Sequence, residues 1–122
     1  LDLGLSNGSH PYAAGLRWDL DLRQPKGRRF SNVQVRSKAT AAWGPLDPAR
    51  TYVLVTNDFV AAGKDGFATL GPVYAAGRYV NTYLLYTQTF VDYLTANGPL
   101  ARPARTEVSH QKVITRDGVT LP

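Results

Sequence analysis

The chain contains no cysteine and no methionine, and its only histidines are His10 and His110. Without cysteine there is no disulfide, no thiolate metal ligand and no thiol nucleophile. The two histidines lie far apart in the sequence and do not have the spacing of a zinc site. Nothing in the sequence pairs them, and neither reads as catalytic. No stretch approaches the roughly 20 consecutive apolar residues that would span a bilayer, and no signal-peptide pattern is seen. There is no Gly-x-Ser-x-Gly elbow, no phosphate-binding glycine loop followed by Lys-Ser/Thr, and no His-Glu-x-x-His. No group of Asp, Glu and His residues suits a two-metal centre. Internal repeats, heptads and low-complexity segments are also lacking. With no initiator methionine, the expectation is a piece of a longer protein.

What is present describes a folded globule. A chain of 122 residues is most simply one domain, and chains of this size bury roughly 65–70% of their unfolded surface. Hydrophobic residues make up 43%, with 2 Trp, 7 Tyr and 4 Phe, which argues against disorder. Lys and Arg number 14 against 9 Asp and Glu, for a formal charge of +5. That sign favours anionic partners without choosing among them. The basic residues are scattered, and nucleic-acid binding would need them clustered with aromatics on one face. The densest group, Lys26-Gly27-Arg28-Arg29, falls at a predicted hairpin turn. It reads as a solvated turn, with a phosphate contact as the other reading.

The hydropathy pattern gives the elements. Leu16, Trp18, Leu20 and Leu22 alternate with Arg17, Asp19, Asp21 and Arg23. Period two with one charged face predicts a half-buried strand. Gln24-Pro25-Lys26-Gly27 is turn chemistry, and Phe30, Val33 and Val35 mark a returning strand whose uneven spacing predicts a bulge or a later start. Tyr52–Thr56 is nearly all apolar and predicts a central strand covered on both faces. Asn57 or Asp58 is placed to cap a short helical turn that Gly63 would end. Tyr86, Phe90, Val91 and Leu94 predict a helix over 86–96, stopped by Asn97-Gly98-Pro99. A last strand is expected at Thr106–Val108. The expected layout is one domain over residues 1–110 and a tail over 111–122.

Residues 51–67 hold the chemical signal. Thr51-Tyr52-Val53-Leu54-Val55-Thr56 runs into Asn57-Asp58-Phe59, and Gly63-Lys64-Asp65-Gly66 follows within a few residues. An aromatic face near a carboxylate suits a flat ring carrying vicinal hydroxyls, as in a nucleoside. Stacking a base on an aromatic contributes about 1–3 kcal/mol, and a carboxylate accepting from a ribose diol is used by dinucleotide folds. The plainer reading stands beside it. Phe59 reads equally as a core residue at a strand end, Asp65 as an ordinary Asp-Gly turn residue, and Asn57 or Asp58 as a helix cap. A carboxylate in this glycine turn would repel phosphate. Binding is therefore offered by these residues, and catalysis is not.

The stretch from Pro45 to Phe67 resembles the C-terminal domain of 5′-nucleotidases, whose pattern is close to Tyr-x-x-x-Thr-Asn-(Asp/Phe)-Phe-Leu-Ala-x-Gly-Gly-Asp-Gly-(Tyr/Phe). Gly15-Leu16-Arg17 and Lys26-Gly27-Arg28 are similar to the family's opening strand and its turn. Val91-Asp92-Tyr93-Leu94 followed by Gly98-Pro99-Leu100 is similar to its last helix. The resemblance covers roughly residues 8–108.

It implies an α+β fold with mixed and antiparallel sheets and flanking helices. It also implies a parent enzyme in which an N-terminal metallophosphoesterase domain, absent here, holds two divalent metals and hydrolyses a nucleotide ester. This chain would bind no cofactor itself and would position the substrate. By the same resemblance Phe59 is one of two plates around the base, Asp65 binds the ribose hydroxyls, Asn57 and Asp58 border the base, and Gly8 lies where backbone passes close to it. The second plate belongs to a Pro-Phe-Gly motif upstream of Leu1. Lys64 stands where the family has glycine. That matters if the position needs positive φ, which a side chain makes costly. The implied partners are a nucleotide and the N-terminal domain, with no nucleic acid and no membrane span, in a periplasmic, secreted or cell-surface protein. The alternatives are a non-catalytic binding or assembly module, and a family relative acting on carrier-bound thiosulfonate.

Overall fold

A computed structural model describes residues 10–121. The described residues divide into two compact units, one formed by residues 10–53 and 103–121 and the other by 54–102.

The first unit is a five-stranded mixed sheet. Its strands are β1 (Leu16–Asp21), β2 (Phe30–Arg36), β3 (Trp43–Pro45), β4 (His110–Ile114) and β5 (Thr120–Leu121), in the order β3-β2-β1-β4-β5. The predicted hairpin of β1 and β2 is present and antiparallel. So is the predicted bulge. Arg17 faces Gln34 while Asp19 faces Ser31, so Asn32 and Val33 together oppose Trp18. Asn32 takes φ 50° to make the kink, a conformation that asparagine tolerates better than most residues.

Period-two alternation on β1 creates the core. Trp18 is fully buried and Leu20 is 2% exposed. The Trp18 ring packs against Phe30, with centroids 5.6 Å apart, and meets the His110 ring edge-on at 5.1 Å. Side chains on the other face of β1 are polar and paired. Arg17 Nε donates to Gln34 Oε1 at 2.8 Å while its guanidinium lies 4.2 Å over the Trp43 ring. Asn32 donates to Asp19 Oδ2 at 3.3 Å.

Residues expected to form a tail complete the sheet. β4 runs parallel to β1 with Trp18 opposite His110, and β5 returns antiparallel along β4. The expected strand at Thr106–Val108 is instead a 3₁₀ turn over Arg105–Glu107, and the strand begins at His110. Polar Gln111 and Lys112 hid β4. Its apolar pair, Val113 and Ile114, precedes Asp117-Gly118, a hairpin signal. Gly118 takes φ 87° and its amide donates to the Thr115 carbonyl at 3.0 Å.

The second unit is helical, with α1 (Asp58–Ala61), a 3₁₀ turn (Ala68–Leu70), α2 (Gly71–Ala75) and α3 (Tyr86–Asn97). Asn57 caps α1 as predicted, its Oδ1 accepting from the Val60 amide at 2.8 Å. The predicted helix over 86–96 is α3, and Gly98 ends it at φ 76°. The predicted central strand over Tyr52–Thr56 is not formed. A β-prone run becomes a strand only where a second strand supplies its hydrogen bonds. None of the five strands pairs with this run, and Val53 and Val55 are 93% and 91% exposed.

Candidate functional site

The site candidates lie on one short helix and the turn that closes it. Asn57 is spent locally as the α1 cap through its side-chain oxygen, and its amide nitrogen has no partner among the described residues. Asp58 opens α1, and its Oδ1 accepts from the Phe59 amide at 2.9 Å. Phe59 is not a core residue. Its ring is 53% exposed.

The turn follows from the glycines. Gly63 sits at φ 82° and Gly66 at φ 79°. The Gly63 amide donates to the Val60 carbonyl at 2.9 Å, and the Lys64 amide donates to the Phe59 carbonyl at 3.3 Å. That second bond folds the turn bearing Asp65 back onto the residue that carries the ring. Asp65 takes φ 51°, a left-handed conformation that aspartate tolerates through its short polar side chain. Its carboxylate is exposed and has no partner among the described residues. Lys64 is not among the positive-φ residues, so a side chain replaces the family's glycine there without backbone strain. It stands exposed on the turn surface. Gly8 lies outside the described residues.

Sequence reasoning missed two further features. Tyr74 and Tyr79 stack with centroids 4.4 Å apart and planes 10° from parallel. A hydrogen bond to Tyr79 holds the Tyr74 phenol above its usual range, and the charges of Tyr79 and Asp58 add to the effect. Aromatic residues five positions apart around Gly77 were the available signal.

The second feature lies in the sheet unit. His10 and His110, unpaired in the sequence, meet with Nε2 to Nε2 at 2.6 Å. Strand β4 was not foreseen, so nothing indicated that position 110 would lie beside position 10. Lys26-Gly27-Arg28-Arg29 forms the predicted turn, with the Arg28 amide donating to the Pro25 carbonyl at 3.0 Å. Among the described residues no group of three or more His, Cys, Asp or Glu side chains is placed to hold a metal. No described helix is long and apolar enough to cross a membrane.

The 5′-nucleotidase C-terminal domain model matches residues 4–72, more than half of the chain and all of the Asn57–Phe67 helix and turn. The chain belongs to this family. Among curated relatives, the NAD 5′-nucleotidase of Haemophilus influenzae is 36% identical over 92 residues, which cover 73% of this chain and 15% of that protein. A probable 5′-nucleotidase of Treponema pallidum is 33% identical over 93 residues, 75% of this chain and 16% of the relative. The solved structure of Haemophilus influenzae NAD nucleotidase superposes with a TM-score of 0.67 at 32% identity, covering 78% of this chain and 18% of that one. The 5′-nucleotidase C-terminal domain here thus spans about one-sixth of the length of these relatives.

Proposed function

We propose that this chain is the substrate-positioning part of a 5′-nucleotidase-type phosphoric ester hydrolase. The Phe59 ring stacks on the nucleotide base. The Asp65 carboxylate accepts hydrogen bonds from the ribose hydroxyls. The free amide of Asn57 and the remaining oxygen of Asp58 border the base edge. The observation that carries this reading is the helix and turn from Asn57 to Phe67. It presents an exposed ring and an unpartnered carboxylate, joined through the bond from the Lys64 amide to the Phe59 carbonyl, inside the segment that the family model matches.

The chemistry belongs elsewhere in the parent. Hydrolysis would fall to an N-terminal metallophosphoesterase domain with two divalent metals, which supply Lewis-acid polarisation and an activated water. By the family resemblance, this chain itself holds no metal. Its contribution is orientation, holding the ester so that attack is effectively intramolecular. We place the parent in the periplasm, on the cell surface or in the secreted fraction, on the strength of the family resemblance. Fractionation of producing cells tests this, and recovery of the parent with the cytosol overturns it.

Two substitutions in the full-length parent test the binding role. Phe59→Ala removes a stacking contribution of about 1–3 kcal/mol, so KM for nucleotides should rise about tenfold or more. Asp65→Asn retains a residue that tolerates the left-handed turn but removes the charge. It should weaken ribonucleotides selectively and level their advantage over 2′-deoxynucleotides. Unchanged KM in both variants rules out this nucleoside site. The chain alone should release no phosphate from nucleoside monophosphates with added divalent metal, and clear turnover by the purified chain would overturn the division of labour.

A further inference from the structure

We infer that His10 and His110 form a one-proton clasp that ties the His10–Tyr12 segment to the start of β4 and opens when both rings are protonated. The geometry is that of a hydrogen bond between imidazoles. The Nε2 atoms are 2.6 Å apart, the rings are within 17° of parallel, and the centroids are 4.6 Å apart. That centroid separation is close to the largest that such a nitrogen contact permits. The two Nε2 atoms are therefore the closest approach of the rings, which meet at their edges rather than face over face.

One hydrogen fits between the two nitrogens. A neutral ring has one donor and one acceptor nitrogen, and a protonated ring has two donors. The contact therefore stands when the pair is neutral or carries one extra proton. It fails when both rings are charged, because two N–H groups then confront each other. Ser109, whose hydroxyl can accept or donate, links the tautomer of His110 to the direction of the clasp. Its Oγ, on a buried residue, lies 3.1 Å from His110 Nδ1. With His110 Nδ1–H donating to that oxygen, His110 Nε2 is the acceptor and His10 Nε2–H the donor.

The surroundings resist a second charge. Trp18 packs edge-on against the His110 ring, and Tyr12 meets both imidazoles edge-on at 5.2 and 5.4 Å. Arg105 donates to the backbone carbonyls of His110 and Gln111, which places a permanent cation nearby. On β1, Arg17 and Asp19 bond to Gln34 and Asn32. Lys112, further along β4, is exposed, and Glu107 pairs with Arg36 at 3.0 Å. No carboxylate among the described residues bonds to either ring. Burial first, then the charges of His10 and Arg105, hold His110 below the usual imidazole value of 6.5.

The sign follows. A histidine whose folded pKa is lowered contributes stability that is complete above its unfolded value and is lost as pH falls through the folded one. The clasp is closed at neutral pH and opens as pH falls below the ordinary imidazole range. Pro11, buried beside His10, keeps the segment near the sheet, so opening is local.

The test is a pH titration of the full 122-residue chain, labelled with ¹⁵N in its only two histidines. A scalar coupling between the two Nε2 nuclei should be present at about pH 7.5 and vanish by about pH 5 as the second proton binds. Over the same range the ring resonances of Tyr12, which meets both imidazoles edge-on, should shift. His10→Gln and His110→Gln should each remove that pH dependence. Absence of the coupling at pH 7.5, or two rings titrating independently at the ordinary value, overturns the clasp without touching the nucleoside reading. The unaltered chain supplies the decisive signals, so a variant that misfolds does not obscure the result.

Discussion

Gly63 and Gly71 approach so closely that a Cβ added to Gly63 would stand 2.9 Å from the Gly71 nitrogen. Gly63 also holds φ 82°. Both conditions demand glycine, one through space and one through backbone conformation. Gly63→Ala should therefore disturb the turn that carries Asp65, at a cost of about 1–3 kcal/mol from the strained conformation alone. Chemical denaturation reads the loss. A variant within a few tenths of a kcal/mol of the parent chain would mean that the two backbones separate easily.

The cap at Asn57 has a separable effect. Its Oδ1 satisfies the Val60 amide, and replacing a capping Asn by Ala typically costs about 1 kcal/mol. Asn57→Ala should lose that amount and increase exchange at the Val60 amide. Asn57→Ser should restore most of the stability, because a hydroxyl oxygen can accept the same bond. If Asn57→Ser restores protection of Val60 but not substrate affinity in the parent, the amide nitrogen also reads the ligand.

Trp18 dominates the sheet unit. It is fully buried in the central strand and touches Phe30 and His110. Trp-to-Ala substitutions in cores cost about 3–5 kcal/mol, against a total stability of about 5–15 kcal/mol for typical proteins. Trp18→Ala should lower the unfolding midpoint sharply and also separate β4 from β1, seen as lost protection of the Lys112–Ile114 amides. Trp43→Ala, on the other face and only half-buried, should cost distinctly less.

Acid sensitivity has a local source at the end of β1. The Arg23 side chain donates to both Asp21 oxygens at 2.9 Å. This bond, reinforced by Gln24 and the Arg23 amide, holds the Asp21 carboxyl well below its ordinary 3.8. A carboxylate with a lowered folded pKa contributes stability that is present above the unfolded value and lost as pH falls through the folded one. Arg23→Gln should return the Asp21 titration toward 3.8 and leave behaviour at neutral pH almost unchanged, as expected for an exposed pair. A carbon-detected carboxyl titration checks this.

What was legible in the sequence was whatever is encoded within one element and its nearest turn. The alternation on β1 gave a strand, its face and its core residues Trp18 and Leu20. The uneven spacing of Phe30, Val33 and Val35 announced the bulge. Asn57 and Gly98 marked helix ends. The family resemblance on Pro45–Phe67 is upheld by the matching domain model and the superposed structure. What failed depended on distant partners. Tyr52–Thr56 has the composition of a strand but no neighbouring strand to pair with. His110–Ile114 has little strand character in composition, yet it is held because β1 offers an open edge and Trp18 an apolar surface. The meeting of His10 and His110 depends on that same pairing, so no local pattern could have shown it.

The parallel pairing of β1 with β4 bears on how the protein is made. β1 leaves the ribosome before β4, and one of its two edges has no strand beside it until residues 110–114 follow. Loop closure over so many residues slows pairing, and an open strand edge is a site for wrong pairing in the meantime. A ribosome pause or a premature stop ahead of His110 would leave Trp18 uncovered on a half-built sheet. Chaperone binding by nascent chains should therefore persist until residues 110–114 have emerged and fall abruptly once β4 docks.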